Sequence, residues 1–258
     1  MSSKKMLFGD DGSMPADAAW LWVNCHDWPD WTIDVLRAVE AQAAPVPDRQ
    51  LLRPEMAEDL RTMTVREDPR YALHTRGSDY DLIVIGSKGR GLMKSLHIGS
   101  TAEWLMHLPP APTVIVRGGH KAQRILLAHD GSLHAMAAER AILTLPWAHD
   151  AGVRIVSVSD GTTDGVEIAA EAGSRLKGAV REVTTSVLRP DELQVFYRPR
   201  DIIMDAISSW HPDLLVLGSR GMSRWESVNE VALHRAGSTA SALATHAPCS
   251  VLLACHRE

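Results

Sequence analysis

Cysteine is scarce in this chain: three among 258 residues, Cys25, Cys249 and Cys255. So few exclude a disulfide framework and a thiolate metal cluster. Cys249 and Cys255 flank the strand-like run Ser250-Val-Leu-Leu-Ala254, and at about 3.3 Å per residue an intact strand holds them too far apart to bridge. All three read as small core residues in a reducing compartment. The 12 histidines form no HExxH pair, so zinc has little support. Positive charge is short as well, with 27 bases against 32 acids and a net charge of −5. That balance excludes a general nucleic-acid or anionic-membrane binder, which needs a basic face. Apolar runs stop far short of the ~18 residues that span a bilayer. Met1-Ser-Ser-Lys-Lys5 leads into only Met6-Leu7-Phe8 before acids begin, which predicts no signal peptide and a cytoplasmic protein. What remains is ordinary globular composition, 45% apolar and 23% charged, over about twice the commonest domain length.

The length is explained by repetition. Asp11-Gly12-Ser13 recurs as Asp130-Gly131-Ser132. Asp81-Leu-Ile-Val-Ile-Gly86-Ser-Lys-Gly89 recurs as Asp213-Leu-Leu-Val-Leu-Gly218-Ser-Arg-Gly221. Gly99-Ser100-Thr101 recurs as Gly237-Ser238-Thr239, and Ala111-Pro112 as Ala247-Pro248. Four landmarks in one order, twice, mark a tandem duplication. The glycine-rich hinge Arg117 to Lys121 puts the domains at 1–119 and 120–258.

Each half alternates strand and helix patterns, which predicts an α/β fold with a parallel sheet covered on both faces. In the second half, strands are expected at Ile125 to Ala128, Arg154 to Ser159, Val195 to Arg198, Leu214 to Leu217 and Ser250 to Ala254. Helices are expected from Ser132 (as cap) to Ala148, over Val166 to Val183, ending near Trp210, and over Thr239 to Thr245. In the first half Asp11 and Asp81 are closer together than Asp130 and Asp213 are. The loss falls where the second helix belongs, replaced by Pro45-Val-Pro47 and a Pro54 to Leu60 segment. Trp20, Trp22, Trp28 and Trp31 lie close by. Either they fill the gap, or Trp20 and Trp22 point to opposite faces and one meets a partner domain.

The strongest chemical motif is Gly86-Ser-Lys-Gly89, nine residues, then Gly99-Ser100, between a strand and a helix. Glycines let a backbone approach an anion, and the N–H groups of Gly99, Ser100 and Thr101 sit at a positive helix N-terminus. From Gly86 to Ser100 the charged residues are Lys88, Arg90 and Lys94, with no acid. Neither G-x-x-x-x-G-K-[ST] nor G-x-G-x-x-G is present.

These residues resemble the universal stress protein family, whose signature G-x2-G-x9-G-[ST] is matched at Gly86, Gly89, Gly99 and Ser100. The resemblance runs through both halves. It implies two flavodoxin-like, Rossmann-like domains, each a five-stranded parallel sheet of order 3-2-1-4-5, holding ATP or another adenine nucleotide, with magnesium as a candidate companion, at the carboxyl ends of the strands. In the first domain it implies Asp11 and Ala38 at adenine and ribose, Ile85 and Gly86 near the ribose, and Gly89, Gly99, Ser100 and Thr101 on phosphates. In the second it implies Asp130, Val158, Leu217, Gly218, Gly221, Gly237, Ser238 and Thr239. There 15 residues, not nine, separate Gly221 from Gly237, and the extra stretch around Trp225 to Glu230 brings in two acids. On loop length and charge the first domain is expected to be the better phosphate site. The resemblance further implies pairing of Thr113–Val116 with Ser250–Ala254 as an intrachain pseudo-dimer, and it allows a homodimer.

Catalysis has thin support. Phosphoryl transfer needs a metal-holding carboxylate, and Asp11 and Asp130 read equally as turn residues. No G-x-S-x-G elbow offers a hydrolase. The expected function is a nucleotide-binding stress-response regulator that is not an enzyme. The alternative is a protein-docking module with vestigial sites. An adenylating enzyme is disfavoured, since Gly9-Asp-Asp-Gly-Ser13 is no S-G-G-x-D-S loop.

Overall fold

The computed structural model describes residues 3–39, 46–89, 98–107, 109–159, 164–189, 198–220 and 236–256. The chain divides into two compact units, Met1–Lys121 and Ala122–Glu258.

The first unit runs β1 (Lys4–Gly9), α1 (Met14–Asn24), β2 (Trp28–Ala38), β3 (Ala57–Val65), α2 (Pro69–Gly77), β4 (Leu82–Gly86), α3 (Ser100–His107) and β5 (Thr113–Val116). The second runs β6 (Arg124–Ala128), α4 (Leu133–Thr144), β7 (Gly152–Val158), α5 (Gly165–Leu176), β8 (Glu182–Leu188), α6 (Pro199–Trp210), β9 (Leu214–Gly218), α7 (Ser238–His246) and β10 (Ser250–Ala254). The strand orders are β3-β2-β1-β4-β5 and β8-β7-β6-β9-β10, with parallel pairing throughout both. This is the expected 3-2-1-4-5 order. Central strands are apolar on both faces because helices cover both: Met6, Leu7 and Phe8 of β1 are fully buried, as are Ile125, Leu126 and Leu127 of β6. Among the described residues no helix is long and apolar enough to cross a membrane.

Several element bounds differ from expectation, each for a local reason. Helix α4 stops at Thr144, well before Ala148, because Leu145 precedes Pro146 and takes an extended ψ of 117°. Helix α5 ends at Leu176, and Gly178 then takes a positive φ of 86°. The run Glu182–Leu188 is β8, paired with β7, and not a helix tail. Its β-branched Val183, Thr184, Thr185 and Val187 favour a strand. The third strand is therefore here and not at Val195 to Arg198. Arg198 caps α6, and Val195 lies outside the described residues.

The first unit lacks a described α-helix between β2 and β3. Pro54–Met56 is one turn of 3-10 helix, and Ala57 onward is strand. An extended strap before it descends alongside α1: Arg49 bonds Asp17, the Gln50 carbonyl accepts from Trp20 Nε1, Leu52 N–H donates to Asn24 Oδ1, and Arg53 bonds Asp27. The four tryptophans are 0–8% exposed. Trp22–Trp28 and Trp28–Trp31 lie at ring-centroid distances of 6.0 and 5.4 Å, and Trp20 meets Phe8 edge-on at 4.9 Å. The indoles therefore fill apolar volume under the strap.

Candidate functional site

Both units turn from first strand to first helix in the same way. Asp11 Oδ1 accepts the Ser13 N–H and Asp130 Oδ1 that of Ser132, each at 3.0 Å. Ser13 and Ser132 then cap α1 and α4. Gly12 and Gly131 sit between them with φ of 66° and 84°. Only glycine takes that conformation without strain.

Gly86 and Gly218 end β4 and β9 hard against these helices. A Cβ on Gly86 would lie 2.6 Å from the Pro15 carbonyl carbon, and one on Gly218 2.6 Å from that of His134. They set the strand–helix spacing. Ile85 and Leu217 before them are both 4% exposed, so their side chains belong to the core.

The glycine loops close identically despite their unequal lengths. Ser87 N–H donates to Val116 O, and Gly99 N–H reaches back to Ser87 O at 2.8 Å. In the second unit Ser219 N–H donates to Ala254 O, and Gly237 N–H to Ser219 O at 2.9 Å. The hydrogen bonds at the loop ends are thus the same in both units despite the six extra residues of the second. Arg90, Lys94, Gly221 and the Trp225 to Glu230 stretch lie outside the described residues.

Gly89 is brought against the turn: a Cβ there would lie 2.7 Å from Asp11 Oδ2. Gly99 packs on the Lys88 backbone, where a Cβ would come within 3.0 Å of Lys88 Cα. Ser100 and Ser238 are exposed, and Thr101, Thr239, Asp11, Asp130, Ala38 and Val158 are part-exposed. Gly237 caps α7 without a side-chain hydrogen bond. The first-turn N–H groups of a helix lack intrahelical partners. Ala38 and Val158 end the second strand of each unit.

Sequence reading missed two buried charge clusters behind these turns. Asp10, 4% exposed, accepts from Arg37 Nε at 3.1 Å and from Arg49 Nη2 at 2.6 Å. Burial alone would raise its pKa, but hydrogen bonds from Arg49, the Gly12 N–H and Arg37 outweigh burial and hold it below the ordinary value. In the second unit His129 and Glu139 are each 3% exposed, and Arg175 grips Glu139 at 2.7 and 3.0 Å. Burial again opposes ionisation of Glu139, and the His129 and Arg175 contacts prevail to lower its pKa. The available signal was Arg37 itself, a charge inside the apolar run Ile33-Asp-Val-Leu-Arg37.

Paired α/β units of flavodoxin-like order, each with a glycine segment ending at a helix N-terminus and an Asp-Gly-Ser turn after its first strand, define a repeated α/β protein. The chain belongs to the universal stress protein family, whose profile matches residues 2–117 and again 121–254. A universal stress protein of Mycobacterium tuberculosis (strain H37Rv) is 30% identical over 101 residues, 38% of this chain. That match spans about a third of the relative's own length (33%). One from Thermus aquaticus is 33% identical over 137 residues, covering 50% of this chain and 96% of the relative. The crystal structure of a universal stress protein from Archaeoglobus fulgidus aligns over 100% of this chain and 98% of its own, with a TM-score of 0.68 and 18% identity. That likeness is one of fold.

Proposed function

We propose that the protein is an adenine-nucleotide-binding regulator of the stress-response type, holding ATP at the loop after the fourth strand of a unit, without significant catalysis. The carrying observation is the repeated closure of Gly99 on Ser87 and of Gly237 on Ser219, which presents open helix N-termini beside Asp11 and Asp130. Phosphates suit those N–H groups. Each aspartate already spends one oxygen on its own turn. Among the described residues no three His, Cys, Asp or Glu side chains cluster as metal ligands. Magnesium, where it accompanies the nucleotide, would be held through the phosphates. The absence of significant catalysis is part of this proposal, and ATP incubated with the protein is expected to stay unhydrolysed.

Purified protein is expected to carry or take up adenine nucleotide, read by absorbance and mass spectrometry. Saturation at ~100 times the dissociation constant should stabilise it by about 2.7 kcal/mol in a thermal shift with ATP, ADP, AMP or cyclic AMP. No shift with any of them, in nucleotide-free protein, favours the docking-module reading. That reading has one observation behind it: Met14 and Leu133, first residues of α1 and α4, are 84% and 57% exposed. Pairing of Thr113–Val116 with Ser250–Ala254 belongs to the same proposal, and cysteine cross-linking between those strands tests it.

A further inference from the structure

The two units also differ near the amino ends of their strands, away from the turns and glycine loops. Leu7 of β1 and Leu126 of β6 hold equivalent places, and their ladder partners on the second strand are Asp34 and Arg154. In the first unit Asp34 accepts from the Tyr80 hydroxyl at 2.7 Å. In the second, Arg154 stacks on Trp210, the last residue of α6, and so does Arg124 of β6. Each guanidinium carbon is 4.8 Å from the ring centroid. Side chains two apart on a strand share a face, so Arg124, Arg154 and the Thr184 that pairs with Arg154 lie on one side of the sheet. The fold itself asks for no base here, since the first unit places an acid at the same point.

Trp210 is held over the arginines by a strained turn. His211 after it has a φ of 53°, the left-handed conformation that favours glycine, whereas α2 of the first unit ends on Ser78 with an ordinary φ of −64°. Such a conformation persists only where its surroundings hold it. The Trp210 carbonyl accepts from Arg124 Nη2, which fixes one of the two guanidiniums. Among the described residues no carboxylate pairs with either arginine. Asp213 Oδ2 accepts the backbone N–H groups of Gln123 and Arg124, each at 2.9 Å, and Glu182 lies 3.7 Å from Arg181. Arg154 is half-buried, and Arg124 and Thr184 are exposed. Two fixed positive charges thus face solvent without a counter-ion from these elements.

We infer that Arg124 and Arg154, on the Trp210 platform, bind a dianionic phosphate group. Guanidinium forks match phosphate oxygens, and stacking on an indole sets their planes before the ligand arrives. Since both carbons lie 4.8 Å from one centroid, they are no more than about 10 Å apart. A phosphate bridged between two forks needs roughly 8 Å. Two positive charges balance the dianion, and the Thr184 hydroxyl adds a donor on the same face. Arg154 is near the amino end of β7 and Val158 at its carboxyl end, so this site is separate from the nucleotide loops and does not depend on them.

The full chain labelled with 5-fluorotryptophan tests this by fluorine NMR, the Trp210 resonance being assigned by its absence in Trp210→Phe. Inorganic phosphate at about pH 8, where it is a dianion, is expected to shift that resonance saturably, and sodium chloride at matched ionic strength is not. Arg154→Gln, which keeps a long polar side chain without the charge, should weaken phosphate binding about tenfold. Arg154→Lys, which keeps the charge without the fork, should weaken it less. Glycerol phosphate identifies the source. A response to it as well as to inorganic phosphate assigns a phosphorylated small molecule, and a response to inorganic phosphate alone assigns the free ion. No saturable shift, a shift that chloride reproduces, or one that Arg154→Gln leaves unchanged would overturn the inference.

Discussion

The two units cover equivalent sheets by opposite means. In the second, helix α5 lies over β7 and β8 and brings Arg175 to Glu139 of α4. In the first, a strap with no regular hydrogen bonds of its own brings Arg49 to Asp10 of the sheet. Trp20 and Trp22 stand where the second unit has Glu139 and Ala141, so α1 carries more side-chain bulk than α4 at these positions. A parallel crossover therefore needs apolar volume and a satisfied charge cluster, and a helix is only one way to provide them.

Removing each clasp should separate the units most strongly. Arg49→Ala strands Asp10, whose side chain is fully buried, with Arg37 as its remaining arginine, and should cost about 3 kcal/mol in the first unit's urea transition. Arg175→Ala should cost less, about 1–2 kcal/mol, because Arg175 is 41% exposed and solvent already screens it. Equal losses would break the comparison.

Acid should act through the indole cluster of the first unit. Burial, first among its causes, lowers the pKa of His26 to about 4, against a rise from its bond to the Trp22 carbonyl. A folded-state value below the ordinary 6.5 means the unfolded chain takes up the proton first. This contribution is complete above about pH 6.5 and drains away as pH falls towards 4, on the order of 3 kcal/mol. Tryptophan fluorescence during urea unfolding at stepped pH should follow it, and an unchanged acid slope in His26→Gln would remove His26 as the cause.

Where the units are alike, their variants should match. Gly86→Ala and Gly218→Ala each push a methyl into helix backbone at 2.6 Å and should destabilise their own units by a similar amount, about 2 kcal/mol. A difference of more than twofold would show that the strand–helix spacing is not shared. The smallest effect is expected from deleting Trp225 to Glu230. Since Gly237 closes on Ser219 as Gly99 closes on Ser87, stability should move by no more than about 0.5 kcal/mol. A larger loss in thermal unfolding would mean that the insertion is part of the packed unit.

The repeat and both Asp-Gly-Ser turns were legible because they rest on local chemistry: glycine where φ is positive, serine at a cap, apolar runs in central strands; the strand order followed only from the family resemblance. Helix ends were legible less well. Leu145-Pro146 and Gly178 are ordinary stop signals, but in each case the apolar pattern runs past them. Strand β8 was hidden because its face alternates weakly and its exposed half resembles a helix surface. The Asp10–Arg37–Arg49 and His129–Glu139–Arg175 clusters join residues that only the fold brings together, and no spacing announces them.

The strap also bears on the order in which the first unit can assemble. A helix such as α5 carries its own hydrogen bonds and can flicker into shape in under a microsecond, before any sheet exists to receive it. Arg49, Gln50, Leu52 and Arg53 are held by Asp17, Trp20, Asn24 and Asp27, all on α1 or just beyond it. Those partners line up only once α1 has formed, and Asp10 is in reach only once β1 is in the sheet. The strap is thus a late arrival by construction. Until it arrives, the indoles it seals lie open to water, and that is when the first unit is most apt to stick to a neighbour.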